Sequence, residues 1–229
     1  MRILLDTADL SAIRRLAEFF PLEGVTTNPT ILAKEGGDLK KLLMEIRETI
    51  GDLELHVQVT APDYAGMIRE AEAICNFLGK ETFVKIPVTA NGLRAIEELA
   101  QRDFLITATA ILTPTQAMLA AEAGATYVAP YVGRCTRSGG DGIKLVKDID
   151  QLFTYGECET AILAASFKTV RQVVGVAMTG AGASTVGSEV MYKLLAHPTT
   201  DTSIAGFEAD WKSAFGDVTL GSLIAKAGK

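Results

Sequence analysis

The sequence predicts an α/β protein of the (β/α)8 TIM-barrel class, a single domain with an extra C-terminal helix. Three observations lead there. Short β-rich runs alternate with longer stretches of helical periodicity, and the alternation repeats eight times. A chain of 229 residues, 48% of them hydrophobic, can bury one large core and suits one barrel better than two small domains. No glycine-rich phosphate turn follows the first run, so the eight units read as a closed barrel and not as an open doubly wound sheet.

Taken in order, the strand-like runs are Arg2 to Asp6, Gly24 to Thr27, Glu54 to Thr60, Thr82 to Pro87, Phe104 to Ala110, Thr126 to Tyr131, Thr160 to Ser166 and Ala183 to Gly187. Helical spacing of apolar residues marks 38–50, 63–78, 91–102, 114–123, 142–155 and 168–179. Strand followed by helix, repeated, requires a parallel sheet. The barrel is assigned to residues 1–200, and a helix with its tail to 201–229. Within the latter, Ile204, Phe207, Trp211 and Phe215 form an apolar stripe at three- and four-residue spacing, to be covered by the chain's own barrel or by a neighbouring subunit. Residues 218–229 are weakly patterned and read as a mobile tail. The nearest match to a dinucleotide fingerprint, Gly180-Ala181-Gly182-Ala183-Ser184-Thr185, lacks the third glycine and precedes a strand instead of opening a helix.

Composition narrows the function. A net charge of -6 argues against nucleic-acid binding, which needs a positive surface to displace counterions. Cys75, Cys135 and Cys158 are odd in number and show no C-x-x-C pattern, which fits reduced thiols. The start, Met1-Arg2-Ile3-Leu4-Leu5-Asp6, has no apolar stretch of signal-peptide length, and no apolar run spans a bilayer; a cytoplasmic protein with no membrane partner is expected. Asn28-Pro29-Thr30 is disqualified as a glycosylation site by its proline.

In a (β/α)8 barrel, reactive groups project from the C-terminal ends of the strands. Those ends carry Asp6, then Thr26, Thr27 and Asn28, Gln58, Lys85, Thr107 and Thr109, Tyr131 and Arg134, and Ser166 with Lys168. Lys85 interrupts Phe83-Val84-Lys85-Ile86-Pro87-Val88, otherwise a buried parallel strand. Burial lowers an ammonium's pKa and enlarges its nucleophilic fraction, which suits attack on a ketone to form an iminium. The alternative is a structural lysine paired with an acid such as Asp6. Asp6 itself is a candidate general base, an orienting carboxylate, or merely the N-cap of the next helix. Tyr131 and Thr109 offer hydroxyls that can hold a water. Arg134, Ser166 and Lys168 form a candidate anion site, or else are solvated loop groups. His56 and His197 are the only histidines, too few for a multi-histidine metal site. His197, before Pro198, reads as a helix end. Ser138-Gly139-Gly140-Asp141-Gly142 reads as a flexible loop, with anion binding at a helix start as the alternative.

Several segments together resemble the small transaldolase-like proteins and fructose-6-phosphate aldolases of the transaldolase superfamily: Leu5-Asp6-Thr7-Ala8, Gly24 to Pro29, Val84 to Thr89, Gly124 to Arg134, and Ala164 to Lys168. The resemblance implies that Lys85 is the Schiff-base lysine, that Asp6 handles the hydroxyl proton during carbon–carbon cleavage, and that Asn28 contacts substrate. It implies phosphate binding by Arg134, Ser166 and Lys168, with Thr26, Thr107 and Ala129 lining the pocket. A transaldolase carries glutamate where this chain has Gln58 and phenylalanine where it has Tyr131, so the resemblance leans towards the aldolases. A glutamate exchanges protons with a catalytic water, whereas a glutamine only orients it, which leaves Tyr131 to protonate the enamine.

The resulting expectation is a class I aldolase that cleaves fructose 6-phosphate to dihydroxyacetone and glyceraldehyde 3-phosphate, with no metal or organic cofactor. A transaldolase moving a dihydroxyacetone unit between sugar phosphates is the runner-up. A barrel that binds sugar phosphates without turnover is the third reading. The resemblance also implies that the C-terminal stripe docks on a neighbour in a ring-shaped homo-oligomer, with a decamer as the assembly suggested.

Overall fold

The structure, a computed structural model, describes residues 1–226. Eight parallel strands close into a barrel in sequence order, each hydrogen-bonded to the next and the last to the first. They are β1 (Arg2–Asp6), β2 (Gly24–Thr26), β3 (Glu54–Gln58), β4 (Phe83–Pro87), β5 (Ile106–Ile111), β6 (Tyr127–Pro130), β7 (Ala161–Ala164) and β8 (Ala183–Val186). The helices are α1 (Leu10–Phe19), α2 (Pro29–Glu35), α3 (Leu39–Ile50), α4 (Tyr64–Leu78), α5 (Ala90–Ala100), α6 (Pro114–Glu122), α7 (Val132–Arg137), α8 (Gly142–Tyr155), α9 (Val170–Ala177), α10 (Ser188–Leu195), α11 (Pro198–Phe215) and α12 (Leu220–Lys226).

Every expected strand is present within a few residues, because each is an apolar run buried on both faces by the barrel interior and the helical ring. Outward-facing Leu5, Val84, Ile86, Ile106, Ala108 and Val128 are wholly shielded by helices. Inward, Leu4, Phe83, Tyr127, Leu163 and Ala183 pack as one apolar cluster towards the N-terminal end of the barrel. The residues expected to carry chemistry lie beyond this floor, towards the C-terminal ends of the strands.

The helices begin where polar side chains cap them. Asp9, Asp38, Asp63, Thr89, Thr113, Asp141 and Thr169 each accept a backbone N–H of the first turn, satisfying donors that have no partner within the helix. Asp9, not Asp6, caps α1, so the carboxylate of Asp6 is released from that role. The short helices α2 and α7 carry no long apolar period and were not expected as helices. The Gly-rich stretch resolves into the end of α7 and the Asp141 cap of α8.

Contacts divide the chain into two compact units, Met1–Met191 and a second beginning at Tyr192. In the second, His197 does not end a helix: its Nδ1 accepts the N–H of Thr199 and caps the start of α11, with Pro198 in the first turn where its missing N–H is harmless. The Trp211 indole donates to the carbonyl of Val218 at 2.6 Å, and its ring lies 4.7 Å from that of Phe215. That bond turns the chain into α12, so Leu220–Lys226 is helical where a patternless tail was expected; the remainder of that tail, 227–229, lies outside the described residues. Among the described residues no helix is long and apolar enough to cross a membrane.

One close approach brings α7 against the end of β7. The amides of Val132 and Gly133 donate to the carbonyls of Ala165 and Ser166, and a Cβ on Gly133 would stand 2.2 Å from the Ser166 oxygen. Gly133→Ala is therefore expected to force the two segments apart and destabilise the fold by about 1–3 kcal/mol, read as a lower urea midpoint with an unchanged slope.

Candidate active site

Lys85 lies at the middle of β4 between Val84 and Ile86, and only 5% of it is exposed. Its Nζ donates to the carbonyl of Thr27 at 2.7 Å. Burial pushes the ammonium's pKa down; the nearby Asp6 carboxylate opposes this and the Arg134 guanidinium reinforces it. The strand registers place Lys85 beside Gln58 of β3 on one flank and Thr107 of β5 on the other.

Asp6 ends β1, with Oδ1 accepting the hydroxyl of Thr26 at 2.8 Å. Thr26 is buried and also lies 2.6 Å from Thr185 Oγ1; because its own hydrogen goes to Asp6, Thr185 is the donor of that pair. Asp6 is thus oriented by a hydroxyl chain across the barrel interior. Gln58 is partly buried, and its Oε1 is shielded from solvent without a hydrogen-bond partner in the protein. An unpaired buried acceptor is costly unless a bound polar group satisfies it.

On the opposite wall, Thr109 Oγ1 and Tyr131 Oη lie 3.1 Å apart, and the Arg134 guanidinium sits over the Tyr131 ring at 4.5 Å. Ala110, at φ 63°, marks a bulge where the β5–β6 register shifts, and it follows directly on Thr109. Ala129, 2% exposed, is small and leaves room between these groups. Ser166 follows β7 with φ 65°, a conformation costly for a serine and held here by the Gly133 amide on its carbonyl. The stem of Lys168 lies against Gly133, the residue before Arg134, where an added Cβ would stand 3.2 Å from Lys168 Cγ. Asn28 caps α2, its Oδ1 accepting from Ile31, which leaves its amide N–H groups as donors.

The structure therefore places Asp6, Thr26 and Gln58 at the ends of their strands, Lys85 and Thr109 within theirs, and Asn28, Tyr131, Arg134, Ser166 and Lys168 on the segments that follow. Thr107, expected to line the pocket, is fully buried and has its hydroxyl engaged inside the barrel, 2.8 Å from His56 Nδ1. His56, fully shielded, stacks on Phe83 at 4.5 Å and places Nε2 3.2 Å from Glu54. Sequence reasoning weighed His56 only as a metal ligand, and it missed Thr185 and the part played by the carbonyl of Thr27. The first had a usable signal, since a histidine in the alternating Glu54-Leu55-His56-Val57-Gln58 shares the inward face with Gln58.

A sequential parallel barrel with this layered interior defines the class: a (β/α)8-barrel protein. A crystal structure of a dihydrodipicolinate synthase from Rhodopseudomonas palustris shares the fold, with a TM-score of 0.57 over 92% of this chain and 79% of that one, at 14% identity. The family model described as transaldolase/fructose-6-phosphate aldolase matches residues 3–218, and the chain belongs to that family. Its function is accordingly of the transaldolase/aldolase type.

Burial holds the His56 pKa down at about 4, against the pull of Glu54 and with the help of Lys85 and Arg2. A histidine depressed in the folded state contributes stability that is complete above its unfolded value near 6.5 and is lost as pH falls towards 4. Between pH 8 and pH 5 the loss from this residue is expected to be about 2 kcal/mol. Urea midpoints measured over that range should fall more steeply for the wild type than for His56→Phe.

Proposed function

We propose that the protein is a class I aldolase that reversibly cleaves fructose 6-phosphate into dihydroxyacetone and glyceraldehyde 3-phosphate through a Schiff base on Lys85. The observation that carries this reading is the buried Lys85 amine, held on the Thr27 carbonyl with its charged form disfavoured, at the centre of a polar strand-end ring. Neutral Nζ attacks the C2 carbonyl, and loss of water leaves an iminium, which serves as the electron sink for the next step; neither metal nor organic cofactor is called for. Asp6 takes the C4 hydroxyl proton as the C3–C4 bond breaks, releasing glyceraldehyde 3-phosphate and leaving an enamine. Tyr131, beside Thr109, protonates the enamine carbon, and water positioned by Gln58 hydrolyses the iminium to free dihydroxyacetone. Arg134, Ser166 and Lys168 receive the phosphate of the aldehyde half, with Thr26, Asn28 and Ala129 shaping the ketose half.

The unpaired Oε1 of Gln58 and the paired Tyr131 hydroxyl favour an aldolase over a transaldolase. A transaldolase must keep the three-carbon enamine unprotonated until a second aldehyde arrives; an aldolase must protonate and release it. Tyr131→Phe removes the phenolic donor while leaving the ring under Arg134. Cleavage should fall by about 100-fold, and transfer of dihydroxyacetone between sugar phosphates should fall much less. Wild-type protein that transfers but never releases dihydroxyacetone would make this a transaldolase. Borohydride in the presence of dihydroxyacetone should fix a three-carbon adduct on Lys85 and none on Lys85→Met; no adduct on the wild type would leave a binding barrel.

For the second unit, we infer that the apolar face of α11 and α12 packs on another copy of the chain. Ile204, Phe207, Phe215, Leu220 and Ile224 are all about half exposed or more, an area of apolar surface unusual for a monomer. Light scattering at micromolar concentration should give the mass of a homo-oligomer, and Phe207→Glu should lower it; a monomeric wild-type mass rejects this packing.

A further inference from the structure

Inward-facing side chains of a (β/α)8 barrel stack in layers drawn from alternate strands. His56 of β3 and Thr107 of β5 bridge one such layer. On its N-terminal side lie Phe83 and Tyr127, whose rings flank His56 at 4.5 and 5.7 Å. On its C-terminal side lies Lys85, two residues beyond Phe83 on β4 and in register with Thr107. The His56–Thr107 bond therefore lies in the layer directly below Lys85, close enough for the lysine's charge to bear on the imidazole.

The direction of each hydrogen bond in this layer follows from its partners. The Glu54 carboxylate can only accept, so His56 Nε2 carries the proton that it shares with Glu54. Burial keeps the ring neutral, so Nδ1 is a bare lone pair. Thr107 is then the donor, and its hydrogen covers that lone pair. We infer that Thr107 and His56 are positioning residues for Lys85: the Thr107 hydroxyl occupies the Nδ1 acceptor beneath the lysine and so withholds it from the ammonium. Uncovered, that acceptor would stabilise the charged, unreactive form.

The charged and titratable groups around the two residues are few. Lys85 faces Asp6 from β1 and Arg134 from α7, while its hydrogen bond goes to Thr27 after β2. His56 faces Glu54 from its own strand, Lys85 from β4 and Arg2 from β1, with the Tyr127 ring from β6. Glu54 is itself held by Arg2 and Tyr127, so removal of the imidazole leaves it paired. The column is a chain of polar contacts from the N-terminal rim, Arg2 to Glu54 to His56 to Thr107, that stops one layer below the nucleophile.

The inference rests on the reading of Lys85 as nucleophile, but its test does not. The Lys85 titration is followed by the 13Cε resonance of protein labelled with [13C]lysine, assigned with Lys85→Met. Thr107→Val, nearly the same shape, removes the hydrogen and exposes Nδ1; the midpoint should rise by about one pH unit, and adduct trapping with dihydroxyacetone should shift to higher pH by the same amount. His56→Phe/Thr107→Val removes the acceptor as well, keeps a ring on Phe83, and should return the midpoint to the wild-type value. A midpoint unchanged or lowered in Thr107→Val overturns the inference, as does a double variant that stays raised. Wild-type protein that titrates as expected but traps no ketone rejects the Schiff-base reading and leaves the positioning role standing.

Discussion

Much of this structure follows from placing one primary amine inside an apolar barrel. An ammonium in such a setting loses its hydration, and the chain compensates with little: one backbone carbonyl, one carboxylate nearby, and a guanidinium whose charge works the other way. Each neighbour of Lys85 can be understood by how it bears on that imbalance. Thr26 and Thr185 fix the carboxylate of Asp6 by a hydroxyl chain, so the compensating charge has a set direction. His56 is kept neutral by the same burial that weakens the lysine's charge, which spares the barrel interior a second cation.

Two arrangements of backbone deliver the rest of the ring. The bulge at Ala110 follows the last inward hydroxyl of β5, and Tyr131 reaches that hydroxyl from the end of β6. The close approach at Gly133 locks α7 onto the segment after β7, with Arg134 over Tyr131 and the stem of Lys168 against Gly133. The groups read as a phosphate site thus sit on backbone that no strand contains. Their placement depends on a missing Cβ and on the left-handed conformation of Ser166.

How much was legible in the sequence divides along physical lines. The eight strands and the long helices were readable because apolar runs and three- to four-residue periodicity follow directly from burial on one or both faces. Lys85 and Asp6 were readable because a charge within such a run is expensive. The helices α2 and α7 were not, since seven and six residues with few buried side chains leave no period to detect. Nor was the partner of Thr107: a hydrogen bond that skips a strand, from β5 to His56 of β3, depends on barrel closure, which no local pattern encodes. His197 was misplaced for a related reason. A histidine before proline marks a break in a helix, and only the fold says which side of the break it serves.

The capping residues described above carry a consequence for how such a barrel can change. Seven of the helices start on an aspartate or threonine that satisfies its own first turn, so the start of each is settled within four residues and not by contacts across the barrel mouth. The loops between strand end and cap are thereby insulated from the scaffold that holds them. Such a chain can exchange the residues that meet substrate, one loop at a time, while the frame that keeps a lysine dry is inherited intact.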